Sequence, residues 1–366
     1  MLEISQSRAR QKRLLDRVQK HAVDALVLSQ PKHAYYFSAV MPHWAHECAI
    51  VIFADGRSTL ISANSPAKAA AADETQSFEA NWHGTMRLEQ PQALAEKVGA
   101  VLRSRQCKRI GIDSSPTSAL LAMRADYQFE SIDEDVWQLR RQKDADEIAI
   151  MRVAMRAVEA MYARARQIIE PGIEELRVFN ELHAAAVETT GQPMTAFLGN
   201  DYACGAGGGA PRKDRRAQAG EIYVLDVGPT HRMYFADACR AIAVDRKPSD
   251  AQLKAHEAIV SCFPIVESMA KPGARCREIY QAVDEHLSLK RGAGMPHHLG
   301  HGIGLSPHEF PHLNPKWDDV LREGEIFTAE PGQYSEELRG GIRIENAYLV
   351  TKTGVENLVT SPIGLT

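Results

Sequence analysis

The chain has 366 residues, more than the roughly 250–300 that one hydrophobic core supports, so two domains are expected. With 44% hydrophobic and 25% charged residues it is not a disordered chain, and a net charge of -4 excludes the strong field that a nucleic acid or an anionic membrane would select. Substrate recognition must therefore be local.

The opening residues 8–21 read as an amphipathic helix, without the apolar stretch of an export signal, and Asp24–Ser29 follows as a strand. Strands are expected again at Cys48–Ala54, Thr59–Ile61 and Arg109–Ile112, with Ala-rich helices at 66–73 and 91–104. The longest apolar run near the start, Cys48–Ala54, is far shorter than the roughly 18 residues of a membrane span. Six scattered cysteines, with no C-x-x-C pair, suit reduced thiols in a cytoplasmic protein. Trp44, Trp82, Tyr35 and Tyr36 are expected in the core or at an interface.

The α/β pattern ends near Gln138, and the charged passage LRRQKDADE leads into a helix from about Asp144 to Ile169, stopped by Glu170-Pro171-Gly172. Further helices are expected from Glu174 to about Thr190, over 249–270 and over 274–289. Between and after them, EIYVLDVGP, YFADACRAIAV, EIFTAEPGQY and GIRIENAYLV read as strands, so the second half is α+β.

Asp226, Asp237, His301, Glu330 and Glu345 lie in these apolar runs or beside their glycine turns. A carboxylate buried in YVLDVG or FTAEPG costs several kcal/mol unless it is paired or bound to a metal. Four such carboxylates match the charge of two divalent ions, and the mixed oxygen and imidazole set suits Mn, Co, Fe or Zn better than Ca or Mg. Asp226 and Asp237 are eleven positions apart across Gly228-Pro229-Thr230, a spacing that lets adjacent antiparallel strands bring both carboxylates together. Arg343 and Glu345, read as two apart on one strand, would share a face.

The segments DVGPTHRMYFADACR, HHLGHGIGLSPHE, FTAEPGQY and GIRIENAYLVT resemble the successive motifs of the pita-bread metallopeptidases, the family of aminopeptidase P, prolidase and methionine aminopeptidase. DALVLSQPKHAYYFSAV is similar to the creatinase-like domain of aminopeptidase P and prolidase. The resemblance implies an α/β creatinase-like domain over residues 1–140 and an α+β pita-bread catalytic domain over 141–366. It also implies two divalent metal ions, manganese first, with cobalt, zinc or iron compatible. Asp237 and Glu345 would bridge them, Asp226 would complete one position, and His301 with Glu330 the other. A bridging hydroxide would attack the peptide bond before proline in a small peptide with proline at its second position. Glu330 would relay the proton, His308 would stabilise the oxyanion, and His297 would touch the substrate. Arg343 would hold a carboxylate in place, and the protein would be a homodimer.

Two positions depart from the pattern. The histidine that the family carries upstream of its first metal aspartate is absent, its place falling at about Gly208 or Gly209 in the run Gly205–Gly209, either a side-chain-free wall or a plain mobile loop. Cys239 replaces the usual threonine, and its thiol could itself approach a metal. These departures leave a second reading, a metal enzyme of the same fold acting on a non-peptide substrate as a C–N hydrolase or lyase, and a third, a binding module without catalysis. His298 and His312 are expected at the surface or behind the ligands, and His231 as a solvated turn residue.

Overall fold

The computed structural model describes residues 1–124, 126–194, 199 and 201–366. It divides into two compact units, Met1–Arg140 and Arg141–Thr366.

The first unit runs α1 (Ile4–Val18), β1 (Ala25–Leu28), α2 (Pro31–Ser38), β2 (Ala49–Phe53), β3 (Ser58–Ala63), β4 (Glu74–Phe78), the hairpin β5 (Asn81–Trp82) and β6 (Thr85–Met86), α3 (Gln90–Ser104), β7 (Arg109–Ile112), α4 (Pro116–Ala122), β8 (Gln128–Ser131) and α5 (Asp133–Arg140). Its main sheet has the order β4-β3-β2-β1-β7-β8 and is mixed: β1 pairs antiparallel to β2 and parallel to β7. Every residue of β1 and β2 is buried, so both faces of the sheet are covered. On one face Val27 and Val51 pack with Leu94, Val98 and Leu102 of α3.

Several expectations fail here for local reasons. Residues 66–73 form no helix, because their backbone is bonded elsewhere. The Ala71 N–H donates to Ser38 O at 2.8 Å, the Ala71 carbonyl accepts from Gln11 Nε2, and the Asp73 N–H donates to Ser58 O at 2.9 Å. Alanine content is a weak prior against such tertiary demands. The first helix begins at Ile4 rather than residue 8, and α2 and α4, both opened by a proline, were not anticipated. Tyr35 and Tyr36 are fully buried, but Trp44 is 82% exposed and is no core residue.

The second unit runs α6 (Ala145–Ile168), α7 (Glu175–Thr190), β9 (Ile222–Val227), β10 (Thr230–His231), β11 (Tyr234–Phe235), β12 (Ala238–Ala243), α8 (Asp250–Val260), α9 (Phe263–Met269), α10 (Cys276–Arg291), β13 (Gly300–Gly302), β14 (Glu309–Leu313), β15 (Ile326–Ala329), β16 (Gly332–Ser335), β17 (Gly340–Arg343), β18 (Asn346–Val350) and β19 (Val355–Asn357). The stretch 249–270 is two helices because Pro264 has no N–H to give the Val260 carbonyl. Its strands form a sheet of order β14-β13-β15-β18-β19 and the antiparallel pairs β9–β12 and β16–β17. Ile259, Val266, Ile279 and Val283 of α8–α10 pack with Val224, Ala241, Phe327 and Tyr348 of the strands in one core.

Arg343 and Glu345 do not share a strand. β17 ends at Arg343 and β18 begins at Asn346 in a different sheet, with Glu345 in the break between them. His231 is also not a solvated turn residue: it is 9% exposed, in the short strand β10, which packs beside α6. Among the described residues, no helix is long and apolar enough to cross a membrane.

Candidate metal centre

β9 and β12 are buried along their whole length, and their register sets Cys239 opposite Asp226 and Ala238 opposite Val227. Asp237 immediately precedes β12, so the hairpin returns it beside Asp226, and the two carboxyls share a hydrogen bond. Glu345 reaches the same place because its N–H donates to Cys239 O at 2.9 Å, while Arg240 Nη1 donates to Glu345 O at 2.6 Å.

His301 sits at the middle of β13. The glycines on either side are needed for packing, since a Cβ at Gly300 would strike Thr328 O and one at Gly302 would strike Phe310 O. The His301 Nδ1–H donates to Gly302 O at 3.1 Å, which fixes the tautomer and leaves the Nε2 lone pair directed at the acids. Nε2 is 3.7 Å from Asp237 Oδ2 and 3.6 Å from Glu330 Oε1. Glu330, just past β15, is held by its N–H on Leu299 O at 2.7 Å.

Two ligand groups share His301: Asp237, His301 and Glu345, and His298, His301 and Glu330. In each, the donor atoms lie within 4.8 Å of one another. The cluster is short of partners. Among the described residues, Asp226 Oδ1 and Glu345 Oε2 are buried and accept no hydrogen bond. Burial, with the nearby carboxylates adding to it, pushes Asp226 up to about 6 and moves Asp237 and Glu345 well above the usual carboxylate range. Burial pushes the His301 imidazole down to about 3, so it is neutral and free to ligate at neutral pH. Buried oxygens with unused lone pairs beside a neutral imidazole are the donor set of a divalent-metal site, and these residues fit one.

Around this cluster, Arg343 Nη2 donates to Asp226 Oδ2 at 2.7 Å and also to Asp201, and Nη1 donates to the Tyr334 hydroxyl at 2.9 Å. The Tyr334 O–H in turn donates to His297 Nε2 at 3.0 Å, since the His297 Nδ1–H is given to His298 O. His308 stacks on His301 with ring centroids 3.6 Å apart. His298 Nε2 is 2.8 Å from Glu330 Oε1, whereas His312 bonds Asp319 and stacks on Trp317. The Cys239 thiol lies in the apolar core and, among the described residues, in neither ligand group.

The glycine run is neither a bare wall nor a plain loop. Gly208 has φ +151°, and a Cβ there would come 2.6 Å from Asp201 Oδ1, so the Asp201 carboxylate takes the space a side chain would need. Gly205, Ala206 and Gly207 line a cleft of about 560 Å³ with Glu221, Tyr334 and Arg339. Asp201 and Tyr334 were not singled out in the sequence, and His298, expected at the surface or behind the ligands, lies against Glu330. Tyr334 had a signal, an aromatic two residues after Gly332 in a glycine-bounded strand, and Asp201 had none, because its place depends on a long-range bridge to Asp226.

Residues 149–352 match the model of metallopeptidase family M24, and residues 10–142 match the creatinase/prolidase N-terminal domain. The chain belongs to metallopeptidase family M24. It is 27% identical to an Xaa-Pro dipeptidase of Pyrococcus horikoshii over 95% of each chain, and 31% identical to an Xaa-Pro dipeptidase of Pyrococcus furiosus over 63% of this chain and 66% of the other. In three dimensions it is similar to an Xaa-Pro dipeptidase from Bacillus anthracis (TM-score 0.84, 24% identity, 98% of this chain and 99% of that one). The prolidase from Pyrococcus horikoshii is similar too (TM-score 0.81, 24% identity, 98% and 100%). The fold is thus a creatinase-like domain followed by the M24 pita-bread domain. Like its family, this M24 chain is a metal-dependent hydrolase that uses divalent metal ions.

Proposed function

We propose that this M24 chain hydrolyses the peptide bond before proline in small peptides. The observation that carries the reading is the pair of ligand groups sharing His301, with Asp226 Oδ1 and Glu345 Oε2 left unpartnered among the described residues. The substrate class rests on the relatives named Xaa-Pro dipeptidase. Those names also disfavour the non-peptide reading, and a complete acidic set argues against a binding module.

In this reading Asp237 and Glu345 belong to both metal positions, Asp226 to one, and His301 with Glu330 to the other. Bound there, divalent ions would acidify a water molecule and polarise the scissile carbonyl. Glu330 Oε1 is engaged by His298, which leaves Oε2 to take the proton of the attacking water and pass it to the proline nitrogen as the C–N bond breaks. His308, held beside His301 by stacking, donates to the oxyanion that develops on the carbonyl. Arg343 orients Asp226 and Tyr334, and Tyr334 orients His297 at the substrate.

Manganese is the metal we infer, because four of the five ligands are carboxylates. The chain acts as a homodimer, a second copy covering apolar surface such as Trp44, Trp82 and Leu88, which are 82%, 51% and 97% exposed. A cytoplasmic location agrees with six cysteines that are all unpaired and buried. The test is turnover of Xaa-Pro dipeptides and tripeptides by chelated protein given back Mn, Co or Zn, beside Glu345→Ala. Metal-restored cleavage that the variant loses is the expected result. Two bound metals with no cleavage of any Xaa-Pro peptide would refute the substrate assignment.

A further inference from the structure

Beside the four ligands already assigned to the metal position at His301 lies a fifth donor. His298 is three residues before His301, at the entry to β13, and its backbone is fixed there because its carbonyl accepts the His297 Nδ1–H at 2.7 Å. Its Nε2 is 2.8 Å from Glu330 Oε1, and donor atoms of His298, His301 and Glu330 all lie within 4.8 Å of one another. Metal–ligand bonds of about 2.0–2.2 Å place two donors on one ion roughly 3–4 Å apart. An ion between these three side chains would therefore need only a small contraction, exchanging the His298–Glu330 hydrogen bond for a bond from each to the metal.

We propose that His298 is a metal ligand, which gives the position at His301 two imidazoles while the position at Asp226 has carboxylates alone. The inference rests on the two-metal reading above. It follows that the two positions are chemically unlike. Nitrogen donors favour Zn and Co over Mn, and a site of carboxylate oxygens alone favours Mn. In competition the position at His301 thus takes Zn or Co ahead of Mn, the metal inferred above, while the position at Asp226 keeps its preference for Mn. A histidine that only held Glu330 by a hydrogen bond would leave that position with the single imidazole of His301 and a weaker preference for Zn and Co.

His298→Gln separates the two roles, because its amide can still donate to Glu330 but is a poor ligand. The side chain is 28% exposed, so the fold should tolerate the change, and circular dichroism checks that it does. Chelated wild-type and variant proteins are titrated with Co(II), following the visible d–d absorption, and with Zn and Mn by calorimetry. Expected are a changed d–d spectrum for the first Co equivalent and a loss of tenfold or more in Zn affinity at one position, with Mn affinity at the other unchanged. His298→Gly should behave like His298→Gln. A variant whose Co spectrum and Zn affinity equal the wild type would overturn the assignment while leaving the two-metal reading intact. A wild-type protein that takes up no metal would overturn both.

Discussion

Each unit of this chain buries a histidine against carboxylate, one acid in the first unit and several in the second, and the two clusters are built to opposite ends. In the first unit Asp113 and His33 are fully buried, and Asp113 is saturated: it accepts from the Ser29 and Gln30 N–H groups, from Ser118 Oγ and from His33 Nδ1 at 2.8 Å. It caps the start of α2 and closes β1 against β7, and nothing further is asked of it. In the second unit Asp226 and Glu345 are buried too, yet among the described residues Asp226 Oδ1 and Glu345 Oε2 accept nothing, and the carboxylates repel one another. A buried charge with every lone pair used is architecture, whereas one with lone pairs to spare marks where a cation belongs.

Removing one acid from each cluster should have opposite effects, and these are the largest expected. Glu345→Ala should reduce turnover to background, a loss of several orders of magnitude, while in chelator its melting temperature should rise, since a repelled, unpartnered carboxyl is gone. Asp113→Ala should do the reverse: it orphans two backbone N–H groups and His33, costing roughly 3 kcal/mol or more, while kcat of the folded fraction stays near wild type. Thermal melts with and without metal, beside initial rates, check both.

A change of pH sharpens the contrast at smaller scale. Asp226, Asp237 and Glu345 are raised above their unfolded values without metal, so they stabilise the metal-free fold below about pH 4 and lose that contribution as pH rises through about 6 and above. Metal must displace those protons, so its affinity should fall about tenfold or more per pH unit below pH 6, as calorimetry in buffers of different ionisation heat would register. An affinity flat from pH 7 to 5 would contradict the shifts. The smallest effect is expected of Tyr334→Phe, which removes the hydroxyl linking Arg343 to His297. A hydrogen bond worth about 1–2 kcal/mol predicts a roughly tenfold loss in kcat/KM with metal stoichiometry unchanged.

What was legible in the sequence was what local rules dictate. The hairpin of Asp226 and Asp237 could be read because an acid inside an all-apolar strand is conspicuous and Gly228-Pro229 marks the turn. The helix of α6 could be read because Asp144 and Glu147 form its capping box. Residues 66–73 misled because their backbone bonds go to Ser38, Gln11 and Ser58, all distant in sequence. The break at Ile344 was hidden because GIRIENAYLV alternates as one strand would, and only pairing with two different sheets divides it. The positions of Asp201 and His298 are set by long-range contacts with Arg343 and Glu330, which no local pattern encodes.

Metal stoichiometry decides whether the carboxylate and histidine cluster of the M24 domain holds two divalent ions. Chelated protein titrated with Mn or Co should take up two ions per chain, and Xaa-Pro cleavage should return in step with that uptake. Cleavage that persists in chelated protein, or a chain that binds no metal at all, would contradict it.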